Sequence, residues 1–204
     1  MHKYLFSLVF LTQSVVFAQT YKEKITEHRS AYKADFISNE HSPLKKADLK
    51  NLHFYEADSN YRIMAEVIPL KDQQPFKMPT YAGTTADYIR YAQLKFQLNG
   101  ETVQLTLYRN LALAANPIYK NHLFLPFTDQ TNGQDTYGGG RYLDLETTAI
   151  VDHKIEIDFN KAYNPYCAYS DGYRCPIPPE ENDLSLEIKA GEKKYTGEKK
   201  KKDK

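Results

Sequence analysis

Two polar stretches carry the residue types from which a site could be built. The first runs Asp129-Gln-Thr-Asn-Gly-Gln-Asp-Thr-Tyr-Gly-Gly-Gly-Arg-Tyr142. Three consecutive glycines, Gly138, Gly139 and Gly140, free a backbone to turn several N–H groups toward one anion. Arg141 beside them adds a guanidinium that grips a carboxylate or phosphate through two parallel hydrogen bonds. The second stretch, from Asp158 to Asn182, packs two cysteines, four prolines and four tyrosines into 25 residues. Tyr137, Asp158, Asn160 and Asn164 supply further hydrogen-bonding groups, and Asp129 and Asp158 are carboxylates suited to general acid or base work. The chemistry these residues suggest is capture of a small polar or anionic ligand, lined by Asp129, Tyr137, Gly138 to Gly140, Arg141, Asp158, Asn160 and Asn164. A purely structural use stands beside it. Asp129 to Asp135 would then be a wide turn and Gly138 to Gly140 a bulge where two backbones cross. Asp158, Asn160 and Asn164 would cap turns, and Arg141 would pair with Asp158 or Asp144.

More specific chemistry is missing from the sequence. Gly138-Gly139-Gly140-Arg141 is not a P-loop, which needs G-x-x-x-x-G-K-[ST]. In Asp129 to Asp135, Asn132 and Gly133 fall one place too early for a calcium loop. There is no H-E-x-x-H and no G-x-S-x-G, and the six histidines are scattered. No histidine lies within ligand spacing of Cys167 or Cys175, so no metal and no cofactor is expected. The two cysteines, with seven residues between them, read instead as a disulfide. Closing so short a loop contributes roughly 2.5 kcal/mol in the chain-entropy model.

These residues need elements to hold them. Tyr21, Ile25, Tyr32 and Phe36 recur at helical spacing and predict an amphipathic helix over 21–37, with His28 on its apolar side as a packing residue. A short second helix is expected over 44–52. From Tyr61 the period changes to two, with Tyr61, Ile63, Ala65 and Val67 on one face. Asn99-Gly100 is the preferred pair for a type I′ hairpin turn. A two-residue loop there pairs Phe96 with Val103, Leu94 with Leu105 and Ala92 with Leu107 on an apolar face. Gln97 and Thr102, Lys95 and Gln104, and Gln93 and Thr106 then pair on the other face. Further strands are expected over 122–127, 141–145, 153–159 and 184–190. Pro126 marks its strand as an edge or a bulge. The sum is a mainly β (α+β) domain: an antiparallel sandwich or partly open barrel of about seven strands with one or two N-terminal helices.

The N-terminus reads as a secretory signal over residues 1–18. Lys3 precedes a mostly apolar run from Tyr4 to Val16, and Val16-Phe17-Ala18 offers small residues at positions −3 and −1 of a cleavage site. The run is too short and interrupted for a membrane span. The expected product is exported to a periplasmic or extracellular space, with one domain over 19–196 and a disordered lysine-rich tail over 197–204. The domain carries 21 basic and 24 acidic residues, so its net charge of −3 gives nucleic-acid binding no support. The tail reads as a solvated end; a weak contact with acidic envelope surfaces is its sharper alternative.

Several motifs together carry a family resemblance: Leu123 to Asp129, Thr136 to Tyr142, Asp158 to Pro165, Cys167, Cys175 to Pro179, Glu181-Asn182 and Ala190 to Lys193. The chain resembles the domain-of-unknown-function 1684 family, most strongly over 123–193 and more weakly back to about Tyr61. That resemblance implies no activity, cofactor or catalytic residue. Three uses of the chain therefore stand: binding of a small polar or anionic ligand, hydrolysis with Asp129 or Asp158 as acid or base, and a structural or interaction role at the cell envelope.

Overall fold

The hairpin at Asn99-Gly100 organises the molecule. In the computed structural model, which describes residues 3–201 and side chains from Tyr21 onward, Asn99 and Gly100 both have positive φ, 53° and 85°, as a type I′ turn requires. The turn joins β3 (Thr85–Leu98) to β4 (Glu101–Asn110). The register is the expected one, with Phe96 opposite Val103, Leu94 opposite Leu105 and Ala92 opposite Leu107. All six of these side chains are buried.

Around this hairpin the strands β1 (Arg62–Pro69), β2 (Phe76–Pro79), β5 (His122–Phe127), β6 (Arg141–Glu146) and β7 (Lys154–Asp158) complete an antiparallel sheet. Its order is β6-β5-β4-β3-β1-β7, curled into a half-barrel, with β2 paired to the first residues of β3. Period-two patterning explains the core. Ala65, Val67, Leu94, Phe96, Leu105, Leu107, Leu125, Leu143, Ile155 and Ile157 share the concave face and form one cluster. A smaller cluster of Met78, Tyr88, Tyr108, Phe124 and Tyr142 covers part of the opposite face.

The helix α1 (Lys3–Ser38) includes the expected 21–37 segment and buries Tyr21, Ile25 and Phe36. The signal-peptide reading of residues 1–18 concerns side chains outside those described. No helix among the described residues is long and apolar enough to cross a membrane. The expected second helix is a 3-10 segment, Lys46–Asn51, and a one-turn helix, α2 (Leu111–Ala114), follows β4.

Two expectations change. Residues 184–190 do not form a strand: Leu184 and Leu186 pair with the backbone of Thr128 and Gln130, and the Ile188 and Ala190 carbonyls then go to an arginine, as described below. Pro126 lies on neither an edge nor a bulge, since β5 runs between β4 and β6. The proline is tolerated because the sheet opens there and Asn182 fills the gap. The Asn182 side chain donates to the Thr106 and Pro126 carbonyls and accepts from Thr106 N–H. It restores across the gap the hydrogen bonds a proline-bearing strand cannot complete. Of residues 197–204, the first five, 197–201, are described. There Lys200 bonds through its backbone to Tyr169 and Asp171 and through its ammonium to Asp48, and Lys199 pairs with Asp171.

Candidate functional site

The glycine–arginine stretch folds inward. Arg141 is the first residue of β6, and the alternation that buries Leu143 also points Arg141 into the protein, where it is fully buried. One guanidinium nitrogen donates to Asp129 Oδ2 at 2.7 Å and to the Ile188 carbonyl at 2.8 Å. The second terminal nitrogen donates to the Ala190 carbonyl and, at 3.4 Å, to the Glu192 carbonyl. The Phe127 ring stacks 5.3 Å away. Asp129 is equally enclosed, its Oδ1 accepting from Thr131 N–H and Thr131 Oγ. Arg141 thus pairs with neither Asp158 nor Asp144. It serves residues 188–190 as a substitute strand edge, and no face of it is open to a ligand.

Gly139 and Gly140 are required sterically. A Cβ on Gly140, whose φ is +84°, would stand 2.7 Å from the Phe127 carbonyl, and one on Gly139 would stand 2.5 Å from the Tyr137 ring. Gly138 has room for a side chain. Tyr137 packs against the aromatic cluster beneath α1.

Asp158, Asn160 and Asn164 occupy different ground. Phe159 to Lys161 form a 3-10 turn capped by Asp158, whose Oδ1 accepts from Asn160 N–H. The same oxygen accepts from Asn160 Nδ2 and from Tyr21 Oη on α1. No described donor reaches Asp158 Oδ2. Asn160 also bridges to the Asp58 backbone. Asn164 is fully buried and donates to the Lys193 carbonyl, while its own Oδ1 lacks a partner.

Asp158 lines a cleft of about 530 Å³, where α1 crosses the two terminal strands, β6 and β7. His28 and Tyr32 of α1 form one wall. Leu143 to Leu145 form the second, and Glu156, Asp158, Lys161, Tyr163 and Tyr166 the third. Burial, then the Lys161 charge, lowers the His28 pKa, while Asp158 opposes them. His28, read from the sequence as a packing residue, therefore faces this cleft. Asp144 is held by Tyr163 Oη at 2.7 Å and His122 at 2.9 Å, and Glu156 by Arg62.

Behind the cleft lies a residue the sequence reading passed over. Glu192 is fully buried and accepts from Tyr32 Oη, Tyr169 Oη and Asn164 N–H at 2.9, 2.6 and 2.9 Å. Burial pushes its pKa up to about 7, against the pull of those donors. Its only sequence signal is its place in the Ala190 to Lys193 motif, because a lone glutamate near a lysine-rich end has the pattern of a surface residue.

The two polar stretches do meet, but through structure. Tyr142 and Tyr163 pair by backbone hydrogen bonds, and the Phe127 and Phe159 rings lie 5.3 Å apart. Of the residues singled out, Asp158 alone lines the cleft. Asn160 and Asn164 support it from behind, while Asp129, Arg141 and the glycines lie elsewhere. Cys167 and Cys175 are joined in a disulfide. No group of three or more potential metal-binding side chains occurs among the described residues.

Fold and site together define a half-barrel β protein whose terminal strands are bridged by a helix over a polar cleft. The chain belongs to the family described as "Protein of unknown function (DUF1684)", whose pattern matches residues 47–193. It is similar to an uncharacterised protein from gene locus rrnAC0354 of Haloarcula marismortui, solved in solution by NMR. The two share 32% identity with a TM-score of 0.66, over 86% of this chain and 95% of that one. No curated protein matches.

Proposed function

We propose that the cleft between α1 and the terminal strands binds a small polar ligand, with Asp158 as its central acceptor. The observation that carries this is the asymmetry of the Asp158 carboxylate. Three donors hold Oδ1 and orient the group, while Oδ2 keeps its hydrogen-bonding capacity for a partner in the cleft. An orienting shell behind an unfilled acceptor suits a site held ready before its ligand arrives. The lining favours a ligand that donates hydrogen bonds. Asp35, Asp144, Glu156 and Asp158 face Lys161 and His28, so hydroxyl or ammonium groups fit better than an anion. The guanidinium that would have attracted an anion is enclosed with Asp129. Tyr32, Tyr163 and Tyr166 add ring faces and phenols.

A titration followed by amide NMR with neutral polyols, primary amines and carboxylates tests this. Polyols or amines should shift residues 143–145 and 156–161 together with the facing turns of α1, and Asp158→Asn should remove the response. Shifts produced by carboxylates alone would overturn it. A hydrolytic reading has one observation of its own, a His28 that burial keeps neutral beside Asp158 and Lys161, the form that accepts a proton. It requires turnover of a ligand that this titration finds. We also propose that the protein is exported and cleaved after Ala18 as one domain. The disulfide supports this, because such bonds persist in oxidising compartments.

A further inference from the structure

At a different place on the barrel, one charge breaks the core pattern. The concave face of β4 reads Val103, Leu105, Leu107 and then Arg109. The register places Arg109 opposite Ile89, on the face that buries the three residues before it. A bulge in β3 between Arg90 and Ala92 opens the sheet at this point. There the half-barrel interior ends in a groove of about 460 Å³. Val67, Leu70, Ile89, Leu111 and Ile150 make its apolar wall. Its charged and titratable lining groups are Arg90, Tyr91, Arg109 and His153, with no carboxylate. Arg90 is already paired with Glu181. Arg109 has no acidic partner among the described residues. It donates to the Lys120 carbonyl, and its Nε is buried with no acceptor.

A guanidinium at the end of an apolar trough, with donors left over and no counter-charge, matches a ligand that is apolar along its length and anionic at one end. We infer that this barrel mouth binds a free aliphatic monocarboxylate, its chain along Val67, Leu70, Ile89 and Ile150 and its carboxylate on Arg109. The mouth of a β-barrel is a common place for such a ligand. The site shares no lining residue with the cleft under α1.

Octanoate, octan-1-ol and acetate separate the contributions of head and chain. Titrated into the full chain and followed by amide NMR and calorimetry, octanoate should shift Val67, Ile89, Leu111 and Ile150 saturably. Octan-1-ol should bind about tenfold more weakly or worse, since it lacks the charge-assisted hydrogen bond, and acetate should leave these residues unmoved. Arg109→Gln should weaken octanoate by about the same factor and leave octan-1-ol unchanged. Equal binding of octanoate and octan-1-ol would overturn the inference. So would octanoate shifts confined to the α1 cleft, or no response to either. Should Arg109→Gln not fold, Ala114→Trp places bulk at the groove rim, and undiminished octanoate binding by that variant would equally overturn it.

Discussion

Three buried carboxylates differ in what fills their last lone pairs, and the proposed site rests on that difference. Asp129 spends both oxygens on Arg141, Thr131 and the Ile188 backbone. Asp158 keeps one oxygen for the cleft. Glu192 sits between these cases, enclosed but joined to the cleft wall through Tyr32. Its raised pKa makes stability depend on pH. Folding holds the proton more tightly than the unfolded chain, whose carboxyl titrates near 4.5, so this contribution is complete below pH 4.5 and is lost as pH rises through about 7. The loss should approach 3 kcal/mol, on the order of what a shift of that size implies. His28 works in the opposite sense, because its pKa is lowered and its contribution is lost as pH falls. Urea unfolding at pH 5 and pH 8 should therefore show the wild type falling further than Glu192→Gln, and the difference isolates the carboxyl. Equal pH dependence in the two proteins would show that Glu192 is ionised throughout.

Among the elements, legibility followed the range of the interactions. The β3–β4 hairpin was readable residue by residue because its turn chemistry and alternation are local and agree. The helix over 21–37 was readable from its apolar spacing. Residues 184–190 alternate like a strand, yet Leu184 and Leu186 pair only with the short 128–130 segment, and the Ile188 and Ala190 carbonyls are taken by Arg141, 47 and 49 positions away. No local pattern announces a guanidinium standing in for a strand. β2 went unread because four residues ending in proline carry little signal. The site divided in the same way. Asp158 was visible as a cap-forming residue after a strand, whereas the cleft depends on α1 crossing strands that are distant in sequence. Arg141 shows the cost of such long-range wiring. Arg141→Ala should destabilise the domain by about 3–5 kcal/mol, because it leaves Asp129 charged and buried along with unpaired carbonyls. Arg141→Lys should recover only part of this, since one ammonium cannot reproduce a planar fork reaching four acceptors. Denaturant unfolding measures both. A near-native midpoint for Arg141→Ala would mean the 188–192 segment has another anchor.

The whole molecule closes its half-barrel with chain that follows the sheet. After β7 the chain runs beneath α1, and the disulfide loop from Cys167 to Cys175 becomes a junction. Tyr173 Oη donates to the His41 carbonyl in the turn that follows α1, and Ser170 pairs with Lys200 near the C-terminus. The loop therefore couples the helix that roofs the cleft to the last described residues, and its oxidation state should be felt across the molecule. Cleavage after Ala18 is compatible with this arrangement, because Tyr21 and Ile25, both buried, lie downstream and are retained. Protein purified from its own host envelope should begin at Gln19 and weigh two hydrogens less than its reduced chain. Reduction should lower its stability by roughly 2.5 kcal/mol, the loop-closure value, and should weaken the amide protection of residues 197–201 along with that of the loop. An uncleaved, reduced protein would place the chain in a reducing compartment and remove the export proposal. A cleaved, oxidised protein whose C-terminal protection ignores reduction would keep export and assign the anchoring of the C-terminus to the Lys200–Asp48 pair instead.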